Sequence, residues 1–522
     1  MADPIIPSFA PPAGYPGPKR SLLLAGGGMR VAYQAGVLLA LKEEGLCFHH
    51  GDGTSGGTIN LAMLFSGLAP QEMIARWKSL DVKDFATLLP VKDYANSSGL
   101  MALGGSEGLR KKVFPHLGID PDKIRRSQGM AATFNLCDFS SKVNKPIPQD
   151  QVTLDHLVAG VSLPLFMPPV EIDGDQYVDS VWIKDTNLME AVKRGAEELW
   201  LVWCIGNSRP YKAGMFNQYV HMIELSANGV LFEEFDRIRD LNERILRGEP
   251  AYGQTRPIRL HVIKPAFPLP LDPDFYFGRI DAATLIDKGY MDAKKYLSTR
   301  GAEGLAFTPE VTQMQANVLG LTFRETMAGG FSLGAADPQA GQAAGKKAGT
   351  VLSMHANVEI RDLKRFIADP DHLGELTGTI DYAPFGQGIP AKSGVFNLFS
   401  PTGDPKLRLM VYELGFEVQG KDYYLAGQKD VKTDSVLELW KETTTLYTTL
   451  YQGKDKSGPV AGAGILSLGF LDLLKLAETM TVTDAATPAQ SAEGLLEFGR
   501  FFMGELWDTY VLKKAPPPAE PA

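Results

Sequence analysis

Gly53-Thr54-Ser55-Gly56-Gly57 is the stretch of this 522-residue chain from which both the fold and the chemistry can be argued. It has the pattern G-x-S-x-G, in which a serine stands on a sharp turn between a strand and a helix. Such a turn strains the serine backbone and brings strand and helix close together, so glycine is needed at Gly53 and Gly57. The flanks agree, because Leu46–Phe48 resembles a strand end and residues 58–65 have helical character. The stretch predicts a nucleophile elbow with Ser55 as the attacking residue.

A second turn, rich in glycine, lies at residues 26–30 between an apolar run and a helical pattern. Backbone N–H groups at a helix start can hold a phosphate or a developing oxyanion. A dinucleotide fingerprint beginning at Gly26 would need glycine at position 31, where the chain has Val31, and the pattern G-x-x-x-x-G-K-[ST] is absent. These observations favour an oxyanion hole, which we expect to be formed by Gly26, Gly27, Gly28, Met29 and Arg30.

The glycine turn, the elbow and two later stretches, residues 162–170 and 172–179, together resemble the patatin-like phospholipase family over about residues 19–300. The resemblance implies an α/β three-layer sandwich with a mainly parallel sheet. It also implies a dyad without histidine, with Ser55 as nucleophile and Asp179 as its partner. The implied reaction is hydrolysis of lipid acyl esters, of the phospholipase A or esterase type, through an acyl-enzyme.

Two positions depart from the family pattern. The aspartate normally stands in D-G-G or D-G-A, whereas this chain has Asp179-Ser180-Val181, and Val31 replaces a glycine after Arg30. Both changes keep the reacting side chains but affect the local backbone. They leave open a catalytically weak or inactive lipid-binding or scaffold protein. An acyltransferase that uses the same dyad also stays open.

Other residues compete for the roles of acid and base. Asp173 and Asp175 are rivals of Asp179, although an aspartate in a glycine-rich turn usually serves the turn itself. A conventional triad would need a histidine after the acid, and His221 or His261 could supply one. We expect His261 to be a core residue of an apolar strand and His221 to be a packing or surface residue of a helix, so the dyad is preferred.

Composition limits the remaining possibilities. The formal charge of −9 makes nucleic acid an unsuitable partner. We expect no cofactor and no metal, because calcium-loop and zinc spacings are absent. The three cysteines, Cys47, Cys137 and Cys204, lie far apart and indicate reduced core thiols. These thiols fit a cytoplasmic protein. Since no apolar run is long enough to span a bilayer, we expect the protein to meet its lipid or other acyl ester substrate from the water side, with peripheral membrane contact left open.

The second half of the chain has a different texture. Alternating strand patterns recur at short spacing from residue 321 to residue 427, which predicts an antiparallel sandwich or curved barrel. The Ala- and Gly-rich run 334–350 predicts a flexible loop. Terminal helices are expected at 436–451, 468–478 and 492–512.

Three short stretches in this half, at 321–327, 366–370 and 440–446, weakly resemble a module found in cholesterol-oxidase-like flavoenzymes. No flavin is implied, because the dinucleotide fingerprint is missing. The predicted organisation is a flexible tail (1–18), the acyl hydrolase domain (19–303), a β-rich accessory domain (304–513) and a disordered tail (514–522).

Overall fold

The chain divides into two compact units, Met1–Ala316 and Asn317–Ala522, in a computed structural model. The structure describes residues 4–85, 87–88, 102, 104–207, 211, 214–249, 251–269, 281–315, 318–402, 407–432, 445–468, 479–485 and 488–510.

The first unit is built on a mainly parallel sheet. Its strands are β1 (Arg20–Leu24), β2 (His50–Gly53), β5 (Ala131–Asp138), β6 (Val143–Pro148), β7 (Val170–Ile172), β8 (Asp175–Asp179), β9 (Glu198–Val202) and β10 (Arg259–Ile263), with a separate short pair β3 (Thr87–Leu88) and β4 (Gly104–Gly105). The order across the sheet is β10-β9-β1-β2-β5-β8-β7, with β6 also paired to β5. The first five strands in this order run parallel, and the pairings of β6, β7 and β8 are antiparallel. The predicted mainly parallel sheet is confirmed.

Helices cover both faces of this sheet. Alternate residues of β1 point to opposite sides, so that Leu22 and Leu24 belong to one core and Leu23 and Ala25 to another. The described helices of the unit are α1 (Ala32–Glu43), α2 (Gly56–Phe65), α3 (Pro70–Ser79), α4 (Phe114–His116), α5 (Pro121–Arg125), α6 (Leu154–Ala159), α7 (Leu188–Lys193), α8 (Met215–Leu246) and α9 (Ala282–Thr299), with 3-10 turns at Gly28–Val31, Val82–Phe85, Gln149–Gln151, Ser180–Trp182 and Pro309–Val311 and a π-helical turn at Leu109–Val113. The result is three layers, helix–sheet–helix.

Strand register explains why two distant parts of the sequence meet. Gly53, at the end of β2, is paired with Phe134 of the longer strand β5. Asp179, at the end of β8, is paired with Leu136 on the other side of β5. Since Ser55 follows Gly53 by two residues, as Leu136 follows Phe134, Ser55 and Asp179 reach the same level of the sheet.

One detail of the prediction is wrong: Leu46–Phe48 is irregular, and the strand before the elbow begins at His50.

The second unit contains a closed antiparallel barrel. Its strands are β11 (Gly320–Leu333), β12 (Val351–Ile360), β13 (Leu373–Tyr382), β14 (Gly386–Pro401), β15 (Leu407–Val418), β16 (Lys421–Lys432), β17 (Thr445–Gln452), β18 (Val460–Leu468) and β19 (Thr481–Thr483), and its described helices are α10 (Pro338–Ala348), α11 (Leu363–Ala368) and α12 (Pro488–Tyr510). Strands β11 to β18 pair in chain order, and β11 pairs with both β12 and β18, which closes the ring. The predicted antiparallel, β-rich architecture is confirmed, as is the last terminal helix.

Two predictions for this unit are wrong. The run 334–350 contains helix α10, which begins with the Asp337 side chain accepting from the N–H of Ala340 and ends at Gly349 with φ 68°. Its glycines serve close packing, because a Cβ at Gly341 would lie 2.0 Å from the carbonyl oxygen of Ala463. Residues 445–451 form strand β17 because alternate residues there are buried. The rest of that predicted helix, 436–444, and most of the predicted helix 468–478 lie outside the described residues.

None of the helices that the structure describes is long and apolar enough to cross a bilayer.

A charged pair is enclosed in the barrel. Glu325 of β11 and Lys429 of β16 are both 2% exposed, and the Lys429 Nζ lies 3.7 Å from a Glu325 carboxylate oxygen and 3.4 Å from the Tyr412 hydroxyl. These strands are not neighbours in the sheet, so the contact crosses the barrel interior. Burial lowers the pKa of Lys429. Of the two groups beside the Lys429 Nζ, the Tyr412 hydroxyl and the Glu325 carboxylate, Glu325 is the one that supplies a counter-charge.

We expect Glu325→Gln to lower the free energy of unfolding of this unit by about 3–5 kcal/mol, because Lys429 would be left buried without its counter-charge. The matched control is Glu417→Gln, which removes one of the two carboxylate partners of Lys392, the other being Asp422, in a more exposed cluster and should cost at most about 1 kcal/mol. Chemical denaturation at pH 7 measures both. Equal losses would contradict the interpretation.

Candidate active site

Ser55 stands on a strained turn. Its backbone has φ 52° and ψ −130°, a conformation that residues other than glycine rarely adopt, immediately before helix α2. A Cβ at Gly57 would lie 2.0 Å from the carbonyl oxygen of Leu24, so no larger residue fits between α2 and β1. At Gly53 a Cβ would lie 3.1 Å from the carbonyl oxygen of Gly57. The elbow geometry that the spacing predicts is present.

Asp179 is the acid that meets Ser55. Its side chain accepts a hydrogen bond from the Ser55 hydroxyl and a second, of 2.9 Å, from the N–H of Val181. The residue is 1% exposed. Burial raises the pKa of the Asp179 carboxyl to about 7, and the two hydrogen bonds act in the opposite direction. A carboxyl with such a pKa can both take and return a proton near neutral pH.

The rival acids and bases lie elsewhere. Asp173 lies in the turn between β7 and β8 with φ 53°, and Asp175 is the first residue of β8; both are exposed. His261 stacks on Trp200 with ring centroids 4.1 Å apart, as a core residue would. His221 lies 3.3 Å from Glu224 of its own helix. No histidine occurs among the described residues that line the cavity at Ser55.

The glycine turn adopts conformations that require glycine. Gly27 has φ 155° and Gly28 has φ 58°. A Cβ at Gly27 would lie 2.9 Å from the Cβ of Cys204. Cys204 is buried, and this burial raises the pKa of its thiol to about 12. The Arg30 Nε donates to the carbonyl oxygen of Gly27 over 2.9 Å. Arg30 therefore fixes the shape of the turn with its side chain, as an interior brace.

A chain of amides, which the sequence did not single out, fastens both ends of this turn. Gln34 donates to the carbonyl oxygen of Ala25 over 2.6 Å, and Asn60 donates to that of Val31 over 2.8 Å. Asn60 also donates to Gln34 and accepts from the Trp77 indole, each within 3.0 Å. In the sequence, Gln34 and Asn60 each stand out only as a polar residue inside an apolar helical run. That pattern indicates a buried residue, but it does not identify the hydrogen-bond partner.

The two departures from the family pattern are accommodated without strain. Neither Ser180 nor Val31 has a positive φ, so neither position requires glycine. The Ser180 hydroxyl lies 2.6 Å from Asn144 Oδ1 and 2.9 Å from the carbonyl oxygen of Lys184, and it does not line the cavity. Val31 packs so closely against the elbow that a Cβ added at Gly56 would lie 2.7 Å from the Val31 Cγ1.

Asp185 is a second buried carboxyl that sequence reasoning missed. It accepts a 3.0 Å hydrogen bond from the N–H of Gly26 through Oδ1, whereas its Oδ2 is buried without a hydrogen-bond partner. Burial, followed by the charge of Asp179, raises the pKa of Asp185 well above its ordinary value. Asp185 thus holds the first residue of the glycine turn.

An apolar cavity of about 490 Å³ opens above Ser55 and Asp179. Its floor is the glycine turn and the elbow, and its walls come mainly from residues 161–167 and from the first turns of α8. The apolar wall residues are Ile59, Phe85, Leu109, Val161, Leu163, Phe166, Met167, Val181, Ile205, Phe216, Tyr219, Val220 and Ile223. Such a lining fits a hydrocarbon chain.

Residues 22–192 match the family model of patatin-like phospholipases. The matched segment contains the glycine turn, Ser55 and Asp179, and it confirms the resemblance to that family over these residues. Among solved structures, the crystal structure of VipD from Legionella pneumophila aligns with a TM-score of 0.32 and 12% identity, covering 55% of this chain and 67% of that one. No curated protein sequence matches the chain significantly.

We expect Asp185→Asn to keep the fold, because an amide oxygen can still accept from Gly26, whereas Asp185→Leu should lower the free energy of unfolding by about 1–3 kcal/mol by leaving that N–H unpaired. The folded-state pKa of Asp185 is raised, so the unfolded chain releases this proton first as pH rises. Wild-type stability should therefore fall, relative to Asp185→Asn, as pH rises above about 4 toward the raised pKa. Thermal unfolding at pH 5 and pH 8 measures this, and a pH-independent difference between the two proteins would contradict it.

Proposed function

We propose that the patatin-like phospholipase domain at residues 22–192, completed by neighbouring residues of the same unit, is a serine lipid acyl hydrolase of the phospholipase A or esterase type. The observation that carries the proposal is the hydrogen bond from Ser55, on its strained elbow, to the buried Asp179 at the floor of an apolar cavity. Nucleophile, base and acyl-sized space come together there.

In the proposed acylation, ionised Asp179 takes the hydroxyl proton of Ser55 while the Oγ bonds to the ester carbonyl carbon. The carbonyl oxygen becomes an oxyanion beside the glycine turn. The N–H of Gly26 is committed to Asp185 and that of Arg30 to the carbonyl oxygen of Gly27, so we assign the stabilising donors to the backbone at Gly27 and Gly28. Collapse breaks the bond to the alcohol, which leaves with the proton from Asp179.

Deacylation uses the same groups in reverse. Water gives a proton to Asp179 as its oxygen attacks the acyl carbon, and the second tetrahedral intermediate expels the Ser55 oxygen, which regains a proton from Asp179. The released acid and the regenerated hydroxyl balance the reaction. No step uses a histidine or an external cofactor.

The alternative of an inactive lipid-binding protein was motivated by Ser180 and Val31. Both residues have ordinary backbone angles and leave Ser55 and Asp179 in contact, and this supports hydrolysis over an inactive site. Transfer of the acyl group to an acceptor other than water would use the same residues.

The three thiols, none of them in a disulfide, favour a reducing compartment such as the cytoplasm.

We expect Ser55→Ala and Asp179→Asn each to lower kcat/KM on a soluble short-chain ester by roughly 10³-fold or more, and Ser55→Ala to abolish labelling by a fluorophosphonate. The matched control is Ser180→Gly, which alters a side chain outside the cavity and should keep activity within several-fold and labelling intact. Undiminished activity in folded Asp179→Asn would remove the aspartate from the mechanism. Absence of labelling in the folded native protein would remove Ser55.

The pH dependence follows from the pKa of Asp179. The carboxyl must be ionised to accept the serine proton, and its pKa is raised to about 7. Thus kcat/KM should rise with pH through about 7 and then level off, with a value at pH 5 about 100-fold below the plateau. A profile on a soluble ester tests this, and a flat profile between pH 5 and pH 8 would exclude Asp179 as the base.

A further inference from the structure

The first half of helix α8 has an unusual composition for an exposed helix. Residues 215–232 contain one acidic residue, Glu224, and neither lysine nor arginine. The second half is dense in charge, with Glu233, Glu234, Asp236, Arg237, Arg239, Asp240, Glu243 and Arg244. One helix therefore changes from an almost uncharged to a highly charged surface along its length.

Both sides of this uncharged half are apolar. Phe216, Tyr219, Val220 and Ile223, at the spacing of one helix face, line the cavity over Ser55. Met215, Met222 and Leu225 lie on the adjacent face and are 93%, 55% and 76% exposed. A monomeric soluble protein rarely leaves such a group of large apolar side chains in water without a function.

The loop at residues 161–170 extends this surface. It contains no charged residue, and it contributes Leu165 and Phe166, which are 63% and 37% exposed. Leu165 has φ 74°, a strained conformation for leucine.

Two contacts join this loop to α8. The Phe166 ring packs edge-on against Tyr219 at 5.3 Å, and the Tyr219 hydroxyl donates to the carbonyl oxygen of Pro164 over 2.6 Å. Helix and loop thus form one apolar rim, which we define as Leu165, Phe166, Met215, Phe216, Met222 and Leu225.

We propose that this apolar rim docks on the lipid–water interface and delivers single lipid molecules to the cavity, an inference that rests on the proposed function. Phe166 and Phe216 belong both to the rim and to the cavity wall, so the exposed surface is continuous with the place where an acyl chain would be held. A docked rim would let that chain pass from the lipid phase into the cavity without crossing water.

The small number of charged residues in the rim segments indicates which kind of lipid surface the rim would bind. The rim segments contain no lysine or arginine to attract anionic head groups, and their one acid, Glu224, lies beside His221. Binding should depend on buried apolar area, so it should occur on zwitterionic phosphatidylcholine and change little with salt or with added anionic lipid. This behaviour distinguishes the rim from a basic, electrostatic membrane patch.

The test uses the full chain with Ser55→Ala, so that lipid is not consumed, and phosphatidylcholine vesicles in a sedimentation assay. Adding Leu225→Glu should weaken the vesicle partition coefficient by about tenfold or more. The matched control is Leu246→Glu, at the other end of the same helix, where the leucine is 73% exposed; it should leave binding unchanged. Neither leucine lines the cavity, so in the Ser55 protein both variants should hydrolyse a soluble short-chain ester normally.

Each outcome decides one question. Loss of binding confined to Leu225→Glu supports the rim, and equal effects of the two variants, or binding that disappears in high salt, overturn it. Concentration-dependent self-association that Leu225→Glu abolishes, without vesicle binding, would show that a second copy of the chain covers the rim and would also overturn the proposal. Vesicle binding without Ser55-dependent ester hydrolysis would support the docking surface and reject the proposed function. Ser55-dependent hydrolysis of the soluble ester without vesicle binding would support the proposed function and reject the docking surface.

Discussion

The close approach of helix α2 to the end of strand β1 is the constraint on which the site depends. A Cβ at Gly57 would overlap the carbonyl oxygen of Leu24, and one at Gly56 would lie 2.6 Å from that of Gly28. The elbow is therefore seated directly on the glycine turn. Because this contact leaves no freedom to the residue between strand and helix, Ser55 is held in its strained conformation and its hydroxyl stays beside the turn. The strained backbone of Ser55 and the position of the glycine turn beside it thus both follow from this packing of α2.

Buried carboxyls are the second consequence of this compact arrangement. Asp179 and Asp185 lie within it, and Asp52 of β2 accepts from Asn135 over 2.7 Å and from Thr133. Burial raises the pKa of all three, to about 7 for Asp52 and Asp179. Each acid binds its proton more tightly in the folded chain than in the unfolded one, so each lowers stability as pH rises from about 4 toward its raised pKa. Buried carboxyls of this kind are groups that a purely structural interior would exclude, and they cluster at functional sites.

The sequence identified what depends on short-range pattern. The G-x-S-x-G spacing and the glycine turn located Ser55 and its surroundings because local backbone geometry dictates those residues. Asp185 and the chain Gln34–Asn60–Trp77 escaped notice, because a buried polar residue reveals its partner only in three dimensions. The Ala- and Gly-rich segment was wrongly predicted to be a loop since its glycines were attributed to flexibility, whereas Gly341 and Gly345 allow α10 to lie against the barrel strands. Residues 445–451 were misassigned because strand alternation in a threonine-rich run is weak evidence without its neighbours.

The absence of a histidine from the described cavity lining poses a chemical question that burial can answer. An exposed aspartate, with its ordinary pKa near 4, would be too weak a base to accept a serine proton at neutral pH. Burial that raises the pKa of Asp179 to about 7 brings the carboxyl to the basicity at which imidazole serves in a triad. Under the proposed function, the apolar walls that would hold an acyl chain would also raise the pKa of the Asp179 carboxyl into the range of a general base.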